Sequence, residues 1–176
     1  ARFKPITESQ LRKIMPNASA QAIATLLGPL NRAMAAHGID TPARQRAFLA
    51  QVAHESGQLR YVEEIKSGED YEDRDDLGNT QVGDGPRFKG RGLLQITGRI
   101  NYREFGRRLG LDLENNPALL ATPEIAARSA ACFFETKGLN RLADRGDFKR
   151  ITKLINGGLN AHRERLHFLR LATRAI

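Results

Sequence analysis

The sequence predicts a mainly α-helical fold, and three observations support this prediction. Apolar residues recur every three or four positions in several separate segments, which is the spacing of an amphipathic helix. Two of these segments follow Thr-Pro pairs, Thr41-Pro42 and Thr122-Pro123, in which threonine caps a helix and proline suits its first position. Short strands are expected only beside one long loop and over Leu93 to Thr97.

The first three helices follow from capping signals and from alanine-rich composition. Thr7 to Gln10 form a capping box that opens a short helix ending at Met15. Residues 18–37 predict a second helix, which is bent or divided at Gly28-Pro29. Thr41-Pro42 begin the third helix. Its apolar stripe consists of Phe48, Leu49, Val52 and Ala53.

Residues 66–92 predict a long loop, with room for a short hairpin. They contain seven glycines or prolines and many charges, without a sustained apolar period. Loops longer than about 12–15 residues in a compact domain are usually functional or disordered. Helical signals then return in four segments, which are residues 99–109, 125–136, 147–155 and 162–174.

A chain of 176 residues with 40% hydrophobic and 27% charged residues is expected to form a single folded domain over 1–176. No apolar run approaches the roughly 18 residues that cross a bilayer, so membrane insertion is not expected. The N-terminus lacks an apolar signal core. The chain has a single cysteine, which allows no internal disulfide and suits folding in a reducing compartment.

The net charge of +8 predicts a polyanionic partner, but the distribution of charge argues against nucleic acid. Residues 61–76 contain eight of the 20 acidic residues and only two of the 28 basic residues. The rest of the chain therefore holds 26 basic and 12 acidic residues. A nucleic-acid-binding protein does not usually place its acids at its working surface. An anionic cell envelope is therefore the expected polyanion, and no nucleic acid is expected.

Metal and cofactor sites are not expected. His54-Glu55 begins the pattern of a zinc protease, but Gln58 occupies the position of the second histidine. The acidic run from Asp73 resembles a calcium loop and fails because Leu77 takes its fifth position. Cys132 lies among alanine and phenylalanine residues, which predicts a core position.

Paired carboxylates are the remaining candidate chemistry. Glu55 borders the apolar stripe of the third helix, where loss of water favours the protonated form of an acid. Glu64, in the acidic segment, is expected to be better solvated. An unbroken helix would hold the two about 13.5 Å apart on opposite faces, so Ser56-Gly57 must end the helix. From spacing alone, two unrelated surface glutamates remain the simpler interpretation.

Three motifs change that interpretation. They are Ala53-His54-Glu55-Ser56-Gly57, the run from Lys89 to Tyr102, and Ile155-Asn156-Gly157-Gly158. Together they resemble glycoside hydrolase family 19, which contains plant-type chitinases and the lysozyme-like endolysins of bacteriophages. The motifs occur in the family's order, and weaker similarity covers residues 44–176.

The resemblance implies a lysozyme-like, two-lobed helical fold and an inverting mechanism. Glu55 matches the family's general acid, and Glu64 takes the general-base position, with Glu63 as its competitor. Thr97 corresponds to a hydroxyl residue that helps hold the attacking water. Arg165 is similar to an arginine that steadies the catalytic carboxylates, where a buried cation is expected to keep Glu64 ionised. Positions that contact sugars or support the cleft are His54, Gln95, Asn101, Tyr102 and Asn156.

Three departures from the family pattern bear on the substrate. Asn160 replaces an acid found in many chitinases, Ile100 replaces an aromatic residue, and the chain has no tryptophan. They weaken the expectation of long-chain chitin binding. The resemblance thus implies an endolysin that cleaves the β-1,4 bond between N-acetylmuramic acid and N-acetylglucosamine. A chitinase is the alternative, and a basic nucleic-acid-binding or envelope-binding protein is a more distant one.

An endolysin of this kind is expected to act as a monomer on peptidoglycan glycan strands, with its basic surface drawing it to the anionic envelope. Before release it is expected in the cytoplasm of the host bacterium. Because the sequence shows no export signal, the resemblance also implies a separate pore-forming partner that gives access to the cell wall.

Overall fold

The computed structural model describes residues 2–176 and confirms a mainly α-helical fold. The helices in this range are α1 Glu8–Ile14, α2 Ala20–Ala36, α3 Pro42–Glu55, α4 Asp84–Arg87, α5 Arg99–Leu109, α6 Pro123–Thr136, α7 Leu139–Asp144, α8 Phe148–Asn156 and α9 His162–Ala175. Short 3-10 helices cover Glu69–Tyr71, Asp75–Leu77 and Pro117–Ala121. None of the helices described is long and apolar enough to cross a membrane.

The predicted helix starts are mostly confirmed by their side-chain caps. Thr7 and Gln10 form both hydrogen bonds of the capping box, and Thr41 Oγ1 accepts from the Arg44 amide. Asp147 caps α8 by accepting from the Arg150 amide. Thr122 differs, because its hydroxyl donates to the Leu119 carbonyl instead of capping α6. That helix therefore starts at its proline without a side-chain cap.

Of the two outcomes expected at Gly28-Pro29, a bend or a division of the second helix, division is wrong. α2 continues through Gly28 and Pro29, and Pro29 is one of its buried residues. A proline inside a helix costs about 3 kcal/mol. Here the same helix buries a face against α6 that includes Leu26, Leu30 and Met34, each at most 3% exposed. Burial of large apolar side chains at about 1.5–3 kcal/mol each outweighs the proline.

Two hydrophobic clusters give the molecule its two lobes. The larger cluster joins α1, α2, α3, α6 and α9, and it includes an edge-to-face contact between Phe48 and Phe134 with ring centroids 5.4 Å apart. The smaller cluster gathers around α5 and includes Phe88, Tyr102 and Phe105. α6 contributes to both clusters and so connects the lobes.

The segment from residue 66 to residue 92 is a loop with short helical turns, and neither a hairpin nor a strand over Leu93 to Thr97 is present in the part of the chain described. Only isolated bridges form there, between Glu63 and Arg91 and between Arg91 and Ile96. Arg99 at the start of α5 ties the loop down through two hydrogen bonds to the buried Asp84 carboxylate.

Candidate active site

Glu55 is the last residue of α3, and the chain reverses immediately after it. The Ser56 hydroxyl donates to the Val52 carbonyl at 2.6 Å and accepts from the Leu59 amide at 2.9 Å. Gly57, Gln58 and Leu59 all have positive φ angles between 58° and 67°. The helix therefore ends where the spacing argument required, and the chain turns back toward Glu64.

Arg165 holds Glu55 from the neighbouring helix α9. Its Nη2 lies 2.7 Å from Glu55 Oε1, and the arginine itself is only 1% exposed. The sequence-based expectation that this cation would hold Glu64 is therefore wrong. α9 packs along α3, so an arginine on its inner face reaches the end of α3 rather than the loop that follows.

The remaining hydrogen bonds of Arg165 fix its orientation. Nη1 donates to Gln51 Oε1 at 2.6 Å, and Nε donates to the Asn160 carbonyl at 3.2 Å. Gln51 in turn donates to Thr152 Oγ1 at 3.0 Å, and His162 Nδ1 lies 3.1 Å from the same hydroxyl. Gln51 and Thr152 are fully buried. A buried polar network thus connects α3, α8 and α9 behind Glu55.

α9 also engages the residue before Glu55. His54 Nδ1 lies 3.0 Å from Glu164 Oε2, so the adjacent residues Glu164 and Arg165 contact the adjacent residues His54 and Glu55. The His54 side chain is 21% exposed. Its observed contact is structural, and the expected contact with a sugar stays a prediction.

Glu64 lies in a different environment, in which both carboxylate oxygens accept hydrogen bonds. Oε1 accepts from the Gly90 amide at 2.8 Å, and Oε2 accepts from the Tyr71 hydroxyl at 3.0 Å. Burial and the bond to Glu64 raise the pKa of Tyr71, which keeps the phenol a donor. These two donors fix the orientation of the Glu64 carboxylate, and a general base must be held in place against the water that it activates.

Glu63, the competitor for this role, faces two cations. Its carboxylate lies 2.9 Å from Lys89 Nζ and 3.5 Å from Arg91 Nε. The hydrogen bond from Lys89 lowers the pKa of Glu63, with Arg91 adding to the effect. The geometry therefore favours Glu64, because Glu63 is already committed to an ion-pair cluster.

Gly90 brings together three of the predicted site residues. A Cβ atom at Gly90 would lie 2.7 Å from Gln95 Oε1, 3.3 Å from Thr97 Oγ1 and 3.4 Å from Glu64 Cδ. All three groups therefore surround one point on the backbone. A side chain at this position would displace the end of the Gln95 side chain, so the glycine leaves room for the observed arrangement.

A tight turn presents Gln95 and Thr97. Gln95 has a φ angle of 58°, and its Nε2 donates to the Gly92 carbonyl at 3.0 Å. The Thr97 hydroxyl donates to the Gln95 carbonyl at 3.1 Å, which leaves its lone pairs free to accept from a water. Asn101 Nδ2 supports the turn by donating to the Thr97 carbonyl at 2.7 Å.

These residues line a groove of about 330 Å³. Its walls are Leu77, Leu94, Gln95, Ile96, Thr97, Asn101, Phe105, Phe133, Lys137, Leu154 and Ile155. Asn156, expected to contact substrate, is exposed at the end of α8 beside Ile155. Amide and hydroxyl groups set among apolar walls suit a neutral, polar ligand such as an N-acetylated sugar.

Tyr102 does not line the groove. It is fully buried, and its hydroxyl contacts the Lys89 carbonyl and Arg91 Nη1. Of the two roles expected for it, contact with a sugar is wrong, and support of the cleft through the Lys89-Gly90 backbone fits its position. Burial raises the pKa of Tyr102, so the hydroxyl remains a neutral donor.

A larger groove, of about 710 Å³, lies between α2, residues 57–62 and the start of α6. None of the predicted site residues lines it. We place the candidate site at the smaller groove because Gln95 and Thr97 line it and also meet Glu64 around Gly90. Within residues 2–176, no three histidine, cysteine or acidic residues are grouped as metal ligands.

Tyr71 and Gln51 were missed by sequence reasoning. Tyr71 lies in a loop without periodicity, and nothing in the sequence places it against Glu64. Gln51 carried a usable signal, because it precedes Glu55 by four residues and so shares its face of α3. A polar residue between Ala50 and Val52 on a buried helix predicts a hydrogen-bonded partner.

Comparisons with known proteins agree with the motifs. A profile of the glycoside hydrolase family 19 described as "Chitinase class I" matches residues 31–143. A "Glycosyl hydrolase family 19 domain-containing protein" of Haemophilus influenzae is 28% identical over 94% of this chain and 94% of its own length. An endochitinase of Arabidopsis thaliana is 38% identical over 64% of this chain, which spans 38% of that protein.

Solved structures share the fold. Chitinase C from Streptomyces griseus superposes with a TM-score of 0.81 at 23% identity, covering 99% of this chain and 94% of its own. A class IV chitinase of family 19 from Zea mays gives a TM-score of 0.77 at 24% identity, covering 97% and 92%. The chain therefore belongs to glycoside hydrolase family 19 and is a chitinase-like glycosidase.

Proposed function

We propose that this protein is an endolysin-type glycosidase that hydrolyses the β-1,4 bond between N-acetylmuramic acid and N-acetylglucosamine in peptidoglycan. The observation that carries the proposal is the convergence of Glu64, Thr97 and Gln95 around Gly90, two of which, Thr97 and Gln95, line the groove. A second carboxylate and a hydroxyl at a sugar-sized groove are the parts that an inverting glycosidase requires.

In the proposed reaction, a water between Glu64 and Thr97 attacks the anomeric carbon from the face opposite the leaving group. Glu64 takes a proton from this water while Thr97 Oγ1 accepts its other hydrogen bond. Glu55 gives its proton to the glycosidic oxygen as the bond to the anomeric carbon breaks. The product has the opposite anomeric configuration, since one displacement has occurred.

The Glu55–Arg165 contact sets a requirement on this reaction. Arg165 Nη2 lies 2.7 Å from Oε1 of Glu55, so this oxygen is already engaged by a cation. We assign the transferred proton to the other oxygen, Oε2, which can meet the glycosidic oxygen while Oε1 keeps its contact with Arg165. Arg165 then stabilises the carboxylate that remains after the proton has been transferred.

Features of the sequence support peptidoglycan rather than chitin as the substrate. The position that is aromatic in plant family members is Ile100 here, and it is 46% exposed. The chain has no tryptophan for stacking along a long chitin strand, and its net charge is +8. Such a charge favours an anionic polymer, and chitin is neutral.

The test uses Glu55→Gln, which preserves size and removes the acid. We expect release of reducing sugar from purified peptidoglycan to fall by about 10²–10⁴-fold, because this is the contribution of general acid catalysis. Circular dichroism and the melting temperature would show that the variant is folded. Turnover within tenfold of the wild type would refute the role of Glu55.

A chitinase is the second candidate, and the names of the relatives favour it. An endochitinase of Arabidopsis thaliana and chitinase C of Streptomyces griseus are both chitin-degrading by name. Parallel assays on chitin oligomers and on peptidoglycan separate the two candidates. Activity on chitin oligomers alone would replace the peptidoglycan proposal with this one.

A further inference from the structure

Four basic residues, one lining the groove and three on α8, have no ionic partner among the residues that the structure describes. They are Lys137, Lys149, Arg150 and Lys153, here named the basic edge, and all four are exposed. None of their side chains forms an ion pair or hydrogen bond with any residue that the structure describes. Lys137 lines the groove itself and lies over the Phe133 ring at 5.8 Å. The charge is therefore available to an external anion.

The register of α8 places Arg150 next to the groove wall. Phe148, Ile151 and Thr152 form the buried face of this helix, while Leu154 and Ile155 line the groove. At 100° per residue, Arg150 lies one turn before Leu154 on the same side. Lys153 and then Lys149 follow around the exposed face, so the charge begins beside the groove at Arg150 and continues away from it.

Like charges on α8 are not compensated by ion pairs. Lys149 and Lys153 stand four residues apart, a spacing at which like charges repel each other on a helix. On α5, by contrast, Arg99, Arg103 and Arg108 each form a salt bridge. Uncompensated repulsion is relieved when an anion binds.

Acidic residues adjoin another part of the groove lining. Leu77 lines the groove and directly follows Asp75 and Asp76, both of which are exposed. Asp76 is paired with Arg74, so Asp75 is the acid that repels an anionic strand near Leu77. The charged groups of the ligand are therefore accommodated at the α8 part of the groove.

We propose that the basic edge receives carboxylate groups carried by a β-1,4-linked glycan, so that an anionic strand binds more tightly than a neutral strand with the same backbone. The inference rests on the proposed function, because the groove must first hold a glycan. Peptide-substituted peptidoglycan carries such carboxylates. A lipid surface fits less well, because the large apolar side chain exposed on α8 is Leu154 alone, whereas membrane-surface helices present an apolar face.

The experiment compares two soluble forms of chitin, neutral glycol chitin and anionic carboxymethyl chitin. All proteins carry Glu55→Gln so that the polymers stay intact. Affinities are measured by titration calorimetry at about 0.1 M and about 0.5 M salt, where the screening lengths are roughly 10 Å and 4 Å. The test variant combines Lys149→Gln, Arg150→Gln and Lys153→Gln. Lys137 is left unchanged because it lines the groove. The matched control removes the same charge elsewhere, with Lys4→Gln, Lys13→Gln and Arg174→Gln.

At low salt, we expect the Glu55→Gln protein to bind carboxymethyl chitin about tenfold more tightly than glycol chitin, because three exposed cations each add a small attraction. The test variant should lose most of this preference while its affinity for glycol chitin changes less than twofold. The control variant should keep the preference, and high salt should abolish it.

Equal preference in the test and control variants would overturn the inference, because net charge alone would then explain binding. A loss of affinity for both polymers in the test variant would also overturn it, since that result indicates damage to the groove. Loss of binding to phosphatidylglycerol vesicles, with the preference between polymers intact, would assign the basic edge to lipid instead. Hydrolysis by the protein with Glu55 intact is measured separately. If the preference for carboxymethyl chitin is retained but the protein with Glu55 intact hydrolyses no glycan, the proposed function is refuted and the binding inference stands.

Discussion

At the scale of single residues, the site gives its two carboxylates opposite surroundings. Glu55 ends a helix and contacts one buried arginine, whereas Glu64 lies in a loop and accepts from an amide and a phenol. The ion pairs of Glu63 set that residue apart from both. Different surroundings allow two chemically identical groups to take different catalytic roles.

The choice between the two candidate bases can be decided by matched substitutions. Glu64→Gln should lower kcat on peptidoglycan by about 10²–10⁴-fold, because the attacking water loses its proton acceptor. Glu63→Gln should leave kcat within tenfold and lower the melting temperature slightly, because it breaks contacts with Lys89 and Arg91. The reverse pattern in steady-state kinetics would transfer the role to Glu63.

Gln51 is expected to position Arg165 and, through it, Glu55. Gln51→Leu removes the acceptor of Arg165 Nη1 and leaves a buried charged donor unsatisfied, at a cost of about 1–3 kcal/mol or more. We expect kcat to fall at least tenfold with a smaller change in KM, because the acid is misplaced.

Gln45 supplies the matched control for this prediction. It is a second buried glutamine on α3, and its side chain donates to the Lys4 carbonyl far from Glu55. Gln45→Leu should reduce stability by a similar amount without reducing kcat. Equal effects of the two substitutions on kcat would show that Gln51 matters only for folding.

At the scale of elements, charged clusters hold the long loop and the turn after α5 against that helix. Arg99 bridges Asp84 and Glu114, and Arg103 also contacts Glu114 at 2.7 Å. Hydrogen bonds from Arg103 first, and from Arg99, lower the pKa of Glu114 from 4.5 to about 2. The ionised form of Glu114 is therefore part of the folded structure.

The stability of the fold should depend on pH through this group. A lowered pKa in the folded state means that the contribution of Glu114 is complete above its ordinary value of 4.5 and is lost as pH falls toward about 2. Glu114→Gln should lower the melting temperature by a few degrees at pH 7, and the difference from wild type should shrink between pH 4.5 and pH 2. Thermal unfolding across this range provides the measurement.

Glu104→Gln is the control, because Glu104 forms a single exposed contact with Arg108 on the same helix. The melting temperature of Glu104→Gln should differ little from that of the wild type, and this difference should change little with pH. A difference in melting temperature between wild type and Glu114→Gln that stays constant down to pH 2 would contradict the role of Glu114.

The predictable elements are those with local signals. α1, α3 and α8 have capping side chains at their predicted starts, and α5 matches its predicted range of 99–109. α7, Leu139–Asp144, was missed because six residues are too few to establish a period. The continuity of α2 was missed because its packing against α6, a tertiary contact, overrides a local proline signal.

At the scale of the whole molecule, the sequence predicted the parts of the site and the structure determined their pairing. Glu64, Gln95 and Thr97 were predicted as members of one site, and Gly90 brings them together. Arg165 was predicted as a partner of a catalytic carboxylate but was assigned to the wrong one. Which carboxylate it meets depends on how α9 packs against α3, and a side chain's reach across helices is not encoded in local spacing.

The distribution of charge also acts at this scale. Eight acids cluster in residues 61–76, while the basic edge lies on α8 and at Lys137. Because cations adjoin one part of the groove and acids adjoin another, we expect an anionic polymer to be oriented in the groove as well as attracted to it. A total charge of +8 alone would not predict this orientation.

Mass spectrometry of a peptidoglycan digest tests the central claim most directly. Purified, undecorated peptidoglycan is treated with the wild-type protein and with Glu55→Gln, and the soluble products are reduced before analysis. We expect fragments that end in reduced N-acetylmuramic acid, and we expect only the wild type to release them. Fragments ending in reduced N-acetylglucosamine, or free peptides without cleaved glycan, would contradict it.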